Sequence, residues 1–352
     1  MFGRRVVVEI RPKRYRCPHC EGGPTTTQRC TWYDPNRPHT TAFEQDVLKR
    51  LIHSTVADIS RSLGLGVKAV EGILDARLAP AVDWTAFATL ETLGIDEVAL
   101  RKGHGHDVAV IWARDVDRQN HVLAVLPNRL RATVQSFLES IPDPLKTTVR
   151  RVCMDLWEGY AGAVAAAAAL PKAHIVVDRG HVAVHYRGAV DTLRQAECRR
   201  LNADRSPERA VPTTALRPLL RREWRSLNPD QQGKVVELFQ QTPALARAYV
   251  LRTLLTAIFE STPDRATAQS RLRLWVKQVK ASGLHGFDTF LKTWHRWQDK
   301  ILNSFDGRQT SGFVEGLNNK LKLLKRRCFG LDDPTELFRR LWLDIEGPRL
   351  WA

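Results

Sequence analysis

The stretch LGIDEVAL, Leu93 to Leu100, decides the fold when read with the two runs that follow it: DVAVIWARDV, Asp107 to Val116, and HVLAVLPN, His121 to Asn128. Each is a short apolar run bounded by polar turns, so residues 92–127 predict three successive strands. Working outward, residues 129–147 read as a helix ending near Pro142-Asp143-Pro144. RRVCMDLWEGY, residues 150–160, reads as a short strand ending at Asp155. Ala161 to Leu170 reads as an alanine-rich helix, and AHIVVDRGHVAVHY, residues 173–186, carries a strand that ends near Asp178. The predicted order is β-β-β-α-β-α-β, with an acid at the C-terminal end of the first, fourth and fifth strands. Active sites in open α/β sheets lie at such strand ends.

Beyond this block the chain changes character. Residues 187 to about 300 contain helical patterns broken by Pro207, Pro212, Pro218, Pro229, Pro243 and Pro263. Apolar residues recur at helical spacing in Val235-Val236, Leu238-Phe239 and Leu251 to Phe259, which predicts an all-α insertion and not a linker. Upstream, residues 43–78 look helical. Thr55 and Asp58 form a capping start, Ala57, Ile59 and Leu63 are expected to face inward, Gly64 permits a turn, and Val67, Val70 and Leu74 are expected to bury the next helix. That is helix-turn-helix spacing; the bland alternative is an ordinary helical hairpin, and the basic context favours DNA binding. Residues 1–41 are basic and polar and contain Cys17-Pro18-His19-Cys20, half of a zinc site, with Cys30, His39 or His19 as further candidate ligands. A degenerate finger that holds no metal is the competing reading, and the residues leave the two open.

Composition bounds the partners. The chain has 352 residues, enough for two or three domains, and 43% apolar content, ordinary for a globular protein. Lys plus Arg number 54 against 38 acids, a formal charge of +16, which calls for an anionic partner: nucleic acid first, a membrane surface as the competitor. There is no apolar run of ~18 residues and no signal-peptide pattern, so neither a spanning helix nor secretion is expected. Of six cysteines, three fall in the first 30 residues and three are scattered, which suits a reducing cytoplasm and not a disulfide framework.

Far downstream lies GFVEGLNNKLKLLKRR, Gly312 to Arg327. As a helix it places Phe313, Leu317, Leu321 and Leu324 on one stripe and Glu315, Asn319, Lys322 and Arg326 opposite. One acid isolated among cations and amides suits a metal ligand beside a phosphate backbone; a helix with no such task is better served by Glu/Lys pairs four apart. Three acids therefore have the setting for chemistry: Asp96, Asp155 and Glu315. Carboxylates forced together favour a divalent cation, Mg²⁺ or Mn²⁺, and two such ions support in-line phosphoryl displacement. For one acid at a strand end, a turn or cap residue is the better explanation; three acids in this order, with a basic helix face beside the last, favour catalysis.

The order of these motifs resembles the DDE transposases of bacterial insertion sequences, of the ISL-three type. The matching residues are RYRCPHC, the helix-turn-helix, LGIDEVALRKGH (93–104), VCMDLWEGY (152–160), VVDRGHVA (176–183) and SGFVEGLNNKLKLLKRRCFG (311–330). The resemblance implies an RNase-H-like mixed α/β core with a large all-α insertion, preceded by a small zinc-finger-like segment and a helix-turn-helix. Its segments are 1–41 (finger-like), 42–80 (helix-turn-helix), 88–186 (core, first part), 187–304 (insertion) and 305–352 (core helices with the catalytic Glu). By position the metal-binding triad is Asp96, Asp155 and Glu315. Asp178 is an alternative second acid; strand order favours Asp155, which leaves Asp178 and His181 as accessory groups in a DxxH element. The family usually has Phe where Gly180 stands. Arg101, Lys102, Asn319, Lys322, Lys325 and Arg326 are the candidate phosphate contacts. His104 and His106 read better as a solvated loop than as ligands, and Trp224 as a packing residue more than a base-stacking one. Implied partners are double-stranded DNA at element ends and target, and further copies of the chain as a homodimer or larger assembly. The expected setting is the cytoplasm of a bacterium, at the nucleoid, with no membrane. The rivals are a catalytically silent DNA-binding regulator and a metal-dependent nuclease of the same fold.

Overall fold

A computed structural model describes residues 7–100, 107–166, 170–203, 213–308 and 312–351. Arg101, Lys102, His104 and His106 lie outside the described residues. The chain forms two compact units, one made of residues up to Ala81 together with those from Leu323 onward, the other of Val82–Lys322.

In the first unit a short hairpin, β1 (Arg14–Arg16) and β2 (Thr25–Thr27), precedes α1 (Thr41–Leu51), α2 (Val56–Leu63) and α3 (Val67–Arg77). The capping expected at Thr55 is present: its side chain accepts from the Asp58 backbone N–H at 3.0 Å. Gly64 ends α2 with φ of 62°, a left-handed conformation that suits glycine, and turns the chain into α3. Ile59, Val70 and Leu74 are buried as expected, and Leu63 is partly buried against the same core. Ala57 and Val67 are exposed, contrary to expectation; Val56 and Ile73 pack inward instead. Val67 is the first residue of α3, and the core takes the face that carries Val70, Ile73 and Leu74. The C-terminal helix α14 (Pro334–Leu350) supplies Leu343 to this core. Buried Glu44 accepts from Arg37 Nε at 2.6 Å and Arg77 Nε at 2.5 Å, tying the segment before α1 to the end of α3.

The second unit is built on five strands: β3 (Thr92–Ala99), β4 (Asp107–Arg114), β5 (Asn120–Leu126), β6 (Arg151–Met154) and β7 (His174–Val177), in the order β5-β4-β3-β6-β7. The first three are antiparallel neighbours, while β6 and β7 run parallel to β3. The helix expected over 129–147 is two, α4 (Arg131–Ser140) and α5 (Asp143–Lys146), because Pro142 interrupts it. The alanine-rich helix α6 (Glu158–Ala166) starts three residues earlier than expected. From Arg179 the chain is helical through Asn202 as α7, so the apolar residues after Asp178 belong to a helix and not to the strand. Helices α8 (Thr213–Arg221), α9 (Pro229–Gln241), α10 (Pro243–Ser261), α11 (Arg265–Ser282) and α12 (Asp288–Leu302) complete the all-helical stretch. Pro229 and Pro243 open helices, where a missing N–H costs nothing.

Alternate residues of β3 face opposite sides. Leu93 and Ile95 join one large core with Ile111, Val152, Met154 and helices α4, α6 and α7. Gly94 and Asp96 face the other way, toward α13 (Gly312–Arg327). On α13 the expected stripe holds: Phe313, Leu317, Leu321 and Leu324 are buried while Glu315, Asn319, Lys322 and Arg326 are exposed. A side chain at position 94 would put its Cβ 2.5 Å from Val314 and 3.3 Å from the Phe313 ring, so glycine there sets how closely α13 approaches the sheet. Gly94→Val should therefore cost about 1–3 kcal/mol through overpacking, read as a lowered denaturation midpoint. Gly72→Ala, in α3 with open space around it, should instead stabilise by about 0.5–1 kcal/mol.

Candidate functional site

Strand register determines which acids meet. Gly94 pairs with Cys153 and Met154 with Val177, so Asp96, Asp155 and Asp178 stand level with one another across three adjacent parallel strands. Asp96 lies inside its strand, which continues to Ala99, while Asp155 and Asp178 are the first residues past theirs. The three acids and His181 line one small pocket with Cys153, Met154 and Val314.

The surroundings of each acid are specific. Asn318, buried on α13, donates its side-chain amide to Asp96 Oδ2 and accepts from the Trp112 indole N–H at 3.2 Å. Trp112 is itself fully buried on β4, directly across from Gly94. Asp96 Oδ1 accepts the Glu97 backbone N–H at 2.6 Å. Asp178 caps α7, accepting from Gly180 N–H at 2.7 Å, and its Oδ2 lies 3.4 Å from His181 Nδ1. The Asp178 contact, above all, raises the His181 pKa. Behind Asp155, Glu97 pairs with Arg129, whose guanidinium lies over the Trp157 ring at 5.5 Å.

Asp155 is the incomplete member. Its Oδ1 is buried and has no hydrogen-bond partner among the described residues. Burial pushes its pKa up to about 6, with neighbouring Asp96 adding repulsion and His181 opposing it. Burial raises Asp96 as well. Two carboxylates facing each other, one with an unsatisfied buried oxygen, fit a hard divalent cation, whose preferred ligands are such oxygens. Among the described residues no three His, Cys, Asp or Glu side chains stand close enough to form a ready-made metal site. Glu315 is exposed, about 100° around α13 from the pocket residue Val314 and about 60° from Asn318, and does not line the Asp96–Asp155 pocket.

Of the other candidates, Asn319, Lys322 and Arg326 are exposed and Lys325 is half-buried, with its pKa lowered by that burial. Cys17 and Cys20 bring their sulfurs to 3.2 Å in the turn after β1, as a pair; neither Cys30 nor His39 completes a cluster of three with them. Trp224 is 37% exposed, in a 3-10 turn. Cys153 is buried, which pushes its thiol up to about 12 and makes it a packing residue. Two residues escape a reading of the sequence alone: Asn318 and Gly94. Asn318 carries a usable signal, since it falls four residues after Val314 on the buried side of α13, where an amide must find partners.

The family described as "Transposase", of the ISL3 type, matches residues 93–341 of this chain, and the helix-turn-helix domain of transposase family ISL3 matches residues 30–78. The chain belongs to the ISL3 transposase family. It is 30% identical over 349 residues to the transposase for insertion sequence element IS1001 of Bordetella parapertussis, covering 99% of this chain and 83% of that protein. It is 24% identical over 366 residues to the transposase for insertion sequence element IS1557 of Mycobacterium tuberculosis, covering 98% and 80%. In an ISL3 transposase, α1–α3 form the DNA-binding helix-turn-helix domain. Among the described residues no helix is long and apolar enough to cross a membrane.

The raised carboxylates give a pH dependence with a definite sign. A folded pKa of about 6 exceeds the unfolded 3.8 of Asp155, so its contribution favours the fold below pH 3.8 and is lost as pH rises through 6. Cation-free protein should lose stability between about pH 4 and 6.5, and Asp155→Asn should lose less. Mg²⁺ or Mn²⁺ should raise the melting temperature more at the higher pH, where no proton competes, and should do so little in the variant. Scanning fluorimetry measures both; an equal metal-induced rise in Asp155→Asn contradicts the assignment.

Proposed function

We propose that this ISL3 transposase cuts DNA at the ends of its element and joins the freed 3′ ends to target DNA, with Asp96, Asp155 and Glu315 as its acidic triad. The observation that carries the reading is the level alignment of Asp96 and Asp155 on adjacent parallel strands, with a buried Asp155 oxygen that has no hydrogen-bond partner among the described residues. The strand order β5-β4-β3-β6-β7, three antiparallel then two parallel, supports an RNase-H-like core. Its large all-α insertion runs between the fifth core strand and the helix that bears Glu315.

The roles follow from the contacts. Asp96 and Asp155 hold the reacting end of the site. A divalent cation bound there, Mg²⁺ or Mn²⁺ and in the full reaction a pair, would supply Lewis-acid stabilisation of charge on the scissile phosphate. Asn318 fixes the Asp96 carboxylate through its amide and is itself fixed by Trp112. Glu315, about one turn before Asn318 on the same helix, would be the third carboxylate, joining the pocket from its exposed position on α13. His181, whose pKa is raised above all by Asp178, lines the same pocket as the pair and would offer a donor to a phosphate oxygen. The exposed row Asn319, Lys322 and Arg326, with half-buried Lys325, follows along α13 to receive the backbone of the strand being cut. The helix-turn-helix reads terminal inverted repeats, and the enzyme works as a homodimer or larger assembly on the bacterial nucleoid, in the cytoplasm, because two element ends must be processed together. Cys17 and Cys20 would be two of the ligands of a finger zinc.

Purified protein with Mg²⁺ or Mn²⁺ should nick a labelled duplex carrying an element end, and should yield joined product when target DNA is added. Asp155→Ala should bind that duplex with unchanged affinity and leave it intact. Binding without cutting in both proteins identifies a silent regulator; cutting without joining identifies a nuclease. Asn318→Ala, which removes the support of Asp96 and no ligand, should slow nicking by roughly 10–100-fold with little change in binding.

A further inference from the structure

A second polar cavity lies within the helical stretch of the second unit, among α7, α8 and α10. Five arginines line it, Arg187, Arg194, Arg217, Arg221 and Arg252, against one acid, Asp191. The cavity itself is small, about 10 Å³, with space for roughly one water, and it opens to solvent, so an oxyanion would sit at its mouth. The arrangement is written into two helices. Arg187, Asp191 and Arg194 fall at i, i+4 and i+7 of α7, one face; Arg217 and Arg221 fall at i and i+4 of α8.

The single carboxylate is already engaged. Asp191 accepts from Arg194 Nε at 2.8 Å and lies 3.2 Å from Arg217 Nε. Arg252 is 2% exposed and held rigidly, donating to the carbonyls of Leu220 at 3.1 Å and Arg222 at 3.3 Å, with the Tyr249 ring 5.0 Å beneath it. Its remaining Nε is buried with no hydrogen-bond partner among the described residues. Arg187 and Arg221 are exposed and make no ion pair among the described residues. Five cations against one anion leave a formal charge of +4, and burying a guanidinium without full compensation is costly. A diffuse basic surface would keep its guanidiniums in water. Here Arg194 and Arg252 are withdrawn from it and fixed by the partners they already hold, and exposed Arg187 and Arg221 at the mouth are the forks that can meet an oxyanion.

We propose that this five-arginine cavity binds a phosphate group, supplied by the backbone of a bound DNA strand. The site is separate from the carboxylate pocket and depends on the proposed reading only in that the chain handles DNA. It carries no sequence information; it would fix where a strand lies against the helical stretch.

The test uses the full chain and a labelled duplex, with affinity followed over a range of salt. Arg187→Gln with Arg221→Gln should flatten the dependence of log affinity on log salt by about one unit or more. Arg187→Lys with Arg221→Lys keeps the charge and loses the fork, and should weaken binding several-fold. Both substitutions fall on exposed side chains with no ion pair, and melting temperatures near that of the parent protein check folding. A Lys double variant that binds as the parent does overturns the cavity in favour of a diffuse field. In a parallel arm, inorganic pyrophosphate is added to the parent and the Gln double variant without DNA. If DNA binding is unchanged in both variants but pyrophosphate raises the melting temperature of the parent alone, the phosphate site stands and its DNA source is overturned. If neither the change in DNA binding nor the pyrophosphate effect is seen, the proposal is overturned altogether. Asp155→Ala leaves the salt slope untouched, so failure of the catalytic reading and failure of this one are read separately.

Discussion

The approach of α13 to the sheet is the contact on which the site depends. It is possible because position 94 has no side chain, so that Val314 and Phe313 occupy the space a Cβ would take. With the helix that close, the Asn318 amide reaches both a buried indole on β4 and a carboxylate on β3. One amide thus joins two strands and a helix that are more than 200 residues apart in sequence, and it does so at the atom whose orientation decides whether Asp96 can share a ligand with Asp155. An amide suits this place because it offers a donor to one partner and an acceptor to the other; a carboxylate could not donate and an apolar side chain could do neither.

Register then does what proximity alone would not. Parallel pairing of β3, β6 and β7 puts Asp96, Asp155 and Asp178 in one row, so three negative groups are held level by backbone hydrogen bonds formed elsewhere in the strands. The three are treated differently. Asp96 receives Asn318, Asp178 is spent on the N-terminus of α7 and on His181, and Asp155 is left with an unsatisfied oxygen. The unequal satisfaction is chemically useful: a carboxylate fully engaged in capping is a poor ligand, whereas one that is buried and unpaired gains most from a cation.

Much of this was legible in the sequence. The three-strand run, the short strands before Asp155 and Asp178, the helical stretch and the two-faced helix from Gly312 follow from periodicity alone, because each is long enough or bounded by enough polar residues to have one reading. The turn at Gly64 and the cap at Thr55 follow from residue chemistry. The strand end near Asp178 was legible too; the start of α7 at Arg179, ahead of the helical stretch expected from residue 187, was not. Ala57 and Val67 were misplaced because the buried face of an eight- to eleven-residue helix is set by what packs against it, a tertiary fact. Gly94 was invisible as a packing residue, since a glycine in a strand announces a close approach without saying to what. Arg187, Arg194, Arg217 and Arg221 were visible only as net charge; their convergence required knowing that α7 and α8 are neighbours.

The same electrostatic condition appears twice in the second unit with opposite sign. At the strand ends one carboxylate oxygen, on Asp155, is withdrawn from water without a donor; in the helical stretch one guanidinium nitrogen, Arg252 Nε, is withdrawn without an acceptor, each among the described residues. A protein selected for stability alone would pair such groups with each other or leave them hydrated, because each unmatched buried charge destabilises the fold. Keeping them apart, each set incomplete, makes sense when completion comes from outside: cations for the acids and an anionic polymer for the arginines. A DNA strand with its counterions presents both kinds of charge at once. The transposase would then be most fully satisfied, and most rigid, with its substrate in place, and the unmatched groups in the free protein mark where that substrate and its ions belong.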